Sequence, residues 1–167
     1  LQGSILVDSE LGIGTTFTII IPMTTESVAV EPHYVDRKRG TGHILIVEDE
    51  AVLAQLYKEY LETVGYETTV LDNGLSALSM FKEQPNRFDL VLTDNSMPKM
   101  TGEELAKELL SIRPDLPIIM ATGYNNIASK KKGQASGIRQ YLVKPVKLGL
   151  LTQAISGYLT KDSNMTR

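Results

Sequence analysis

The chain has 167 residues, 42% hydrophobic and 22% charged, which suffices for one ordinary domain core with an extension. A net charge of −3 and a pI near 5.4 leave no basic field for nucleic acid, and apart from Lys130–Lys132, read as a solvated face, the Lys and Arg residues are scattered. The absence of cysteine excludes disulfides, thiolate metal sites and a cysteine nucleophile; no apolar run is long enough to span a bilayer and no charged leader opens the chain, so a cytosolic setting without direct membrane contact is expected.

The first 22 residues read as a hairpin: a strand over Ser4–Ser9, a glycine turn through Gly12 and Gly14, and a strand over Thr15–Ile21 stopped by Pro22. Such a ribbon is marginal alone in water and should dock or belong to a larger sheet. Residues 23–41 show no sustained period and end in charge and glycine, as a linker does. Because the chain opens at Leu1 in what reads as mid-strand, it is expected to be a piece of a longer protein.

From residue 42 to 161 short apolar runs alternate with helical segments, and 162–167 read as a tail. Strands are expected at His43–Val47, Glu67–Leu71, Phe88–Thr93, Pro117–Ala121 and Gln140–Val143. Helices are expected at Glu50–Val64, Gly74–Glu83, Gly102–Ile112, Asn125–Ala135 and Leu148–Leu159. The first helix carries an apolar stripe at Leu53, Leu56, Tyr57, Tyr60, Leu61 and Val64. Five β/α units imply an α/β fold with a doubly wound parallel sheet and helices on both faces. The first and third strands have almost no polar alternation, as central strands covered on both sides require. In such sheets the functional crevice lies at the carboxyl ends of the strands.

There the sequence sets Glu48 and Asp49 after the first strand, Asp94 after the third, Thr122 after the fourth and Lys144 after the fifth. Each alone could be an ordinary loop residue. Three carboxylates at one edge repel one another unless a cation sits among them, and with one lysine they leave a formal −2 that one divalent ion would cancel. The sparse oxygen set suits Mg²⁺ better than Ca²⁺, and the cluster has no His or Cys for zinc. A carboxylate beside Mg²⁺ can attack phosphorus, while Lys144 and the Thr122 hydroxyl neutralise and hold the phosphoryl oxygens.

Four stretches in order resemble the response-regulator receiver family over about 42–160: I-L-I-V-E-D-E at 44–50, L-V-L-T-D-N-S-M-P-K-M-T-G at 90–102, I-I-M-A-T-G-Y at 118–124 and Y-L-V-K-P-V at 141–146. The resemblance implies a flavodoxin-like sheet of order 2-1-3-4-5. It makes Asp94 the phosphoacceptor and Asp49 a Mg²⁺ ligand. Glu48 becomes a direct or water-mediated metal partner, and the Ser96 carbonyl completes the protein's share of the shell. Lys144 and Thr122 would contact the phosphoryl group. Thr122 and Tyr141 form the switch, Ser96 and Tyr124 tune the phosphoryl lifetime, and a cis Lys144–Pro145 bond would aim the lysine at the pocket. Gly102 is read as serving a turn. The implied partners are a phosphohistidine-bearing kinase dimerisation domain and a histidine phosphotransfer protein, with a homodimer as a further association.

The opening hairpin resembles the last two strands of a histidine-kinase ATPase domain, which implies that the receiver ends a hybrid sensor kinase. The kinase family's ATP-binding and histidine-bearing elements have no counterpart here, so the chain's implied chemistry is its own phosphotransfer and dephosphorylation. Two other readings stay open: a pseudo-receiver that binds partners without phosphate, and an aspartyl-nucleophile phosphatase. The phosphatase reading is weakened because such enzymes need an acid two positions after the nucleophile, where Ser96 stands.

Overall fold

The computed structural model describes residues 3–22, 40–123 and 137–159. They fall in two compact units, within 1–35 and within 36–167. The expected helix Asn125–Ala135, Lys130–Lys132, Tyr124 and the tail at 162–167 lie outside the described residues.

In the first unit, β1 (Ser4–Glu10) and β2 (Gly14–Ile20) pair antiparallel, with Ile5 opposite Ile19 and Val7 opposite Phe17. The turn closes with the Ile13 N–H donating to the Glu10 carbonyl at 3.0 Å, and Gly12 supplies the φ of +82° that its third position demands. Opposed residues share a face, so Ile5, Val7, Phe17 and Ile19 form one apolar side, and every strand residue is exposed.

The second unit runs β3 (His43–Val47), α1 (Ala51–Thr63), β4 (Glu67–Leu71), α2 (Gly74–Glu83), β5 (Leu90–Asp94), α3 (Gly102–Ile112), β6 (Ile118–Thr122), β7 (Gln140–Val143) and α4 (Leu148–Leu159). The five strands form a parallel sheet in the order β4-β3-β5-β6-β7, the order expected from the sequence. Period-two alternation divides the core. Leu45, Val47, Val91, Ile118 and Met120 pack under α2 and α3 with Phe81 and Leu105. Ile44, Ile46, Leu90, Leu92, Ile119 and Leu142 pack under α1 and α4 with Tyr57, Leu61, Leu151 and Ile155. β5 and β6 are buried at every position, as strands covered on both faces must be. Among the described residues no helix is long and apolar enough to cross a membrane.

Local chemistry sets the helix starts. The Asn73 side chain caps α2 by accepting from the Ser76 N–H at 2.8 Å, and Thr101 with Glu104 makes a reciprocal capping box on α3. α1 has no side-chain cap at Glu50; its start adjoins the acids Glu48 and Asp49, which suit the positive end of the helix dipole.

Three local readings are corrected. β5 and β6 each run one residue further than expected, because Asp94 still pairs with Ala121 and Thr122 with Val143, so both residues end strands. Leu56 is exposed, since the buried line of α1 runs through Ala54, Tyr57 and Leu61 and Leu56 stands about 100° to the side of Tyr57. Gly102 serves no turn: it lies within α3, and a Cβ there would stand 2.2 Å from the Asp94 carbonyl oxygen and 3.0 Å from the Asn95 Cα. α3 therefore rests on the backbone of Asp94, with the Gly102 N–H donating to the Asn95 carbonyl at 3.1 Å. Gly102→Ala is expected to lose about 1–3 kcal/mol through overpacking, read as a lower midpoint in urea unfolding.

Candidate functional site

The strand register assembles the pocket. Glu48 extends the line of Ile44 and Ile46, Asp94 that of Leu90 and Leu92, and Lys144 lies two residues beyond Leu142. By alternation all three belong to the side of the sheet covered by α1 and α4. Thr122 extends the line of Ile118 and Met120, and Tyr141, paired in register with Met120, packs on the same α2–α3 side. The acid–lysine cluster and the Thr122–Tyr141 pair thus leave the sheet on opposite faces.

Backbone bonds extend the ladders past the strand tips. The Glu48 N–H donates to the Leu71 carbonyl, Asn95 to Ala121 and Lys144 to Thr122, at 2.9–3.1 Å. The Lys144–Pro145 peptide is cis, as the resemblance implies. The Lys144 Nζ donates to Glu48 Oε2 at 2.9 Å and sits 3.0 Å from Asp94 Oδ1. The other Asp94 oxygen accepts from the Ser96 N–H at 3.2 Å. Glu48 is 2% exposed and Asp94 5%, whereas Asp49 is open to solvent.

Glu48, Asp49 and Asp94 each bring a carboxylate oxygen within 4.8 Å of the others. Oxygen donors of this number, two buried and one open, fit a hard divalent cation that retains waters. Ser96 sits at the exposed start of the loop after β5. Burial pushes the Glu48 carboxyl above its ordinary value, and the hydrogen bond and charge of Lys144 only partly oppose this. For Lys144, burial works to lower the value, but the bonds and charges of Glu48 and Asp94 outweigh it and hold the ammonium charged.

The sequence marks Tyr57 as core alone, yet it lies within reach of the pocket's charges. Its ring is buried among the side chains under α1 and α4, and its hydroxyl has no hydrogen-bond partner among the described residues. Burial pushes the phenol up to about 12, and the charges acting on it are those of Lys144, Glu48, Asp94 and Glu50. The stripe read from the sequence carries two phenols, Tyr57 and Tyr60, and spacing alone does not separate them.

Residues 44–156 match the response regulator receiver domain. The chain belongs to that family. Receiver domains serve two-component signalling, with phosphate acceptance as their standard role. The chain is 38% identical over 116 residues to the response regulator receiver protein CpdR of Brucella abortus, covering 70% of this chain and 95% of that one. It is 34% identical over 163 residues to the sensor protein EvgS of Escherichia coli and 31% over 170 residues to the sensor kinase CckA of Brucella abortus. These alignments take in 93% and 96% of this chain but only 13% and 18% of those proteins, so the chain spans under a fifth of the sensor relatives' length. Among solved structures, a receiver domain protein from Clostridium thermocellum superposes with a TM-score of 0.67 at 32% identity, covering 70% of this chain and 93% of that one.

The raised Glu48 value sets a pH dependence. An acid whose folded-state value lies above its unfolded one contributes stability below the unfolded value, and that contribution is lost as pH rises through the folded value. Measured against Glu48→Gln, the metal-free wild type should therefore lose stability as pH climbs above about 4.5, the ordinary carboxyl value. Urea midpoints across pH for both chains test this, and parallel profiles would contradict it. Added Mg²⁺ should stabilise the wild type more at neutral than at acid pH.

Proposed function

We propose that this receiver takes its phosphoryl group on Asp94. The observation that carries the reading is the 3.0 Å pairing of Lys144 with a buried Asp94 beside two further carboxylates. An Asp94 oxygen attacks phosphorus of a phosphohistidine; the new O–P bond forms as the P–N bond breaks, and the leaving imidazole nitrogen keeps the electron pair. Lys144 turns from the carboxylates to the phosphoryl oxygens and offsets their charge, and the Thr122 hydroxyl, at the end of the neighbouring strand, donates to one of them.

Glu48, Asp49, Asp94 and the Ser96 carbonyl would hold Mg²⁺, with Glu48 acting directly or through water. The ion supplies charge neutralisation and Lewis acidity for transfer and for later hydrolysis. Ser96 and Tyr124 tune the lifetime of the acyl phosphate. As Thr122 turns toward the phosphoryl group, Tyr141 follows on the same side of the sheet, altering the surface that a partner reads.

The donor in this reading is the phosphohistidine domain of a sensor kinase on the cytoplasmic side, and a histidine phosphotransfer protein is the next acceptor. A hybrid kinase origin is supported by the alignment with the sensor protein EvgS, which leaves only about a dozen residues of this chain unmatched and so reaches into the N-terminal hairpin. In that reading residues 1–22 close the kinase ATPase domain, 23–41 link, and 42–161 are the receiver.

Intact-mass spectrometry after acetyl phosphate treatment should show Mg²⁺-dependent modification that Asp94→Asn abolishes. Lys144→Ala should slow modification roughly 10²-fold or more, the usual scale for losing one such charge-stabilising donor. Thr122→Ala should still take the phosphoryl group but lose the NMR shift at Tyr141. An unmodified wild type under every Mg²⁺ condition would overturn the reading and leave a phosphate-independent interaction module in its place.

A further inference from the structure

The Tyr57 hydroxyl is a buried polar group with no hydrogen-bond partner among the described residues. Such a group costs about 1–3 kcal/mol, whereas phenylalanine would fill the same space without that cost. Side chains of an α-helix lean toward its N-terminus. α1 begins at Ala51, three residues after Glu48, so Tyr57 in the second turn leans toward the pocket. It lies on the same side of the sheet as Glu48, Asp94 and Lys144.

The resting pocket places two demands on one lysine. Lys144 serves Glu48 at 2.9 and 3.2 Å and Asp94 at 3.0 Å. When its N–H groups go to a phosphoryl group and one Glu48 oxygen faces the cation, the other oxygen of Glu48, 2% exposed, keeps among the described contacts only the Glu50 N–H at 3.4 Å. A buried carboxylate oxygen that loses its donor is costly unless another donor replaces it. A phenol is neutral, so it can serve in that place without competing with the lysine for the anion.

We propose that Tyr57 is a positioning residue: its hydroxyl donates to the Glu48 carboxylate, directly or through one water, when Lys144 turns to the phosphoryl oxygens. The role rests on the phosphoacceptor reading above and adds to it a donor on the opposite side of the sheet from Thr122 and Tyr141.

The test uses the whole 167-residue chain, fluoroberyllate as the phosphoryl mimic and saturating Mg²⁺. Tyr57→Phe should bind fluoroberyllate roughly tenfold more weakly, the scale of one hydrogen bond to a charged group. Its resting stability should match or exceed the wild type, because the variant removes an unsatisfied group. Tyr60→Phe, whose lost hydroxyl accepts from Thr152 at 3.1 Å, should bind like the wild type. In the unaltered chain the Tyr57 ¹³Cζ resonance should shift on fluoroberyllate binding, a readout that needs no variant to fold. Affinity of Tyr57→Phe within twofold of wild type, or an unmoved Tyr57 resonance, would overturn the role and leave the phosphoacceptor function standing. A wild type that binds no fluoroberyllate with Mg²⁺ would overturn both.

Discussion

Three acids share one rim, and a single ammonium holds the two buried ones together. Lys144 reaches that place because β7 delivers it in register beside β6, with its own N–H bonded to the Thr122 carbonyl. Without it, Glu48 and Asp94, both buried, would face each other unpaired, and one would be driven to take up a proton. The pairing holds Asp94 and the Lys144 ammonium together, the arrangement on which the proposed transfer to Asp94 draws. It is also unfinished, since a residual negative charge remains that a divalent ion is suited to meet.

Much of this could be read from residues alone because the physics is local or periodic. Apolar runs such as Ile44–Val47 have no polar alternation and must be covered on both sides, and the charged residues that interrupt these runs mark the strand ends. What the sequence could not convey were distances between segments far apart in the chain. Gly102 looks like a turn glycine until α3 is seen resting on the Asp94 carbonyl. Leu56 fits an apolar stripe until the buried line is seen to centre on Ala54, Tyr57 and Leu61. Tyr57 counts as core by its spacing, and only the assembled fold brings its hydroxyl under the charges of the rim.

The first unit obeys the same alternation with another result. Register puts Ile5, Val7, Phe17 and Ile19 on one side of a two-stranded ribbon, where a lone hairpin cannot bury them. Its alignment with sensor proteins places it within a far longer chain in those relatives. Within the second unit the sheet itself acts as a partition, with acids and lysine on one side and threonine and tyrosine on the other. Their meeting point is the carboxyl edge of the sheet, where β6 and β7 end level and β5 ends one residue short of them.

The seat of α3 on Asp94 bears on how such a domain can move. The main chain at Asp94 is wedged between a neighbouring strand that takes the Asn95 N–H and a helix whose first residue has no room even for a methyl group. It behaves as an anvil. In the proposed reading, new charge at the Asp94 carboxylate meets a β5 with no room to retreat, and the response falls to β6 and β7, which carry Thr122 and Tyr141.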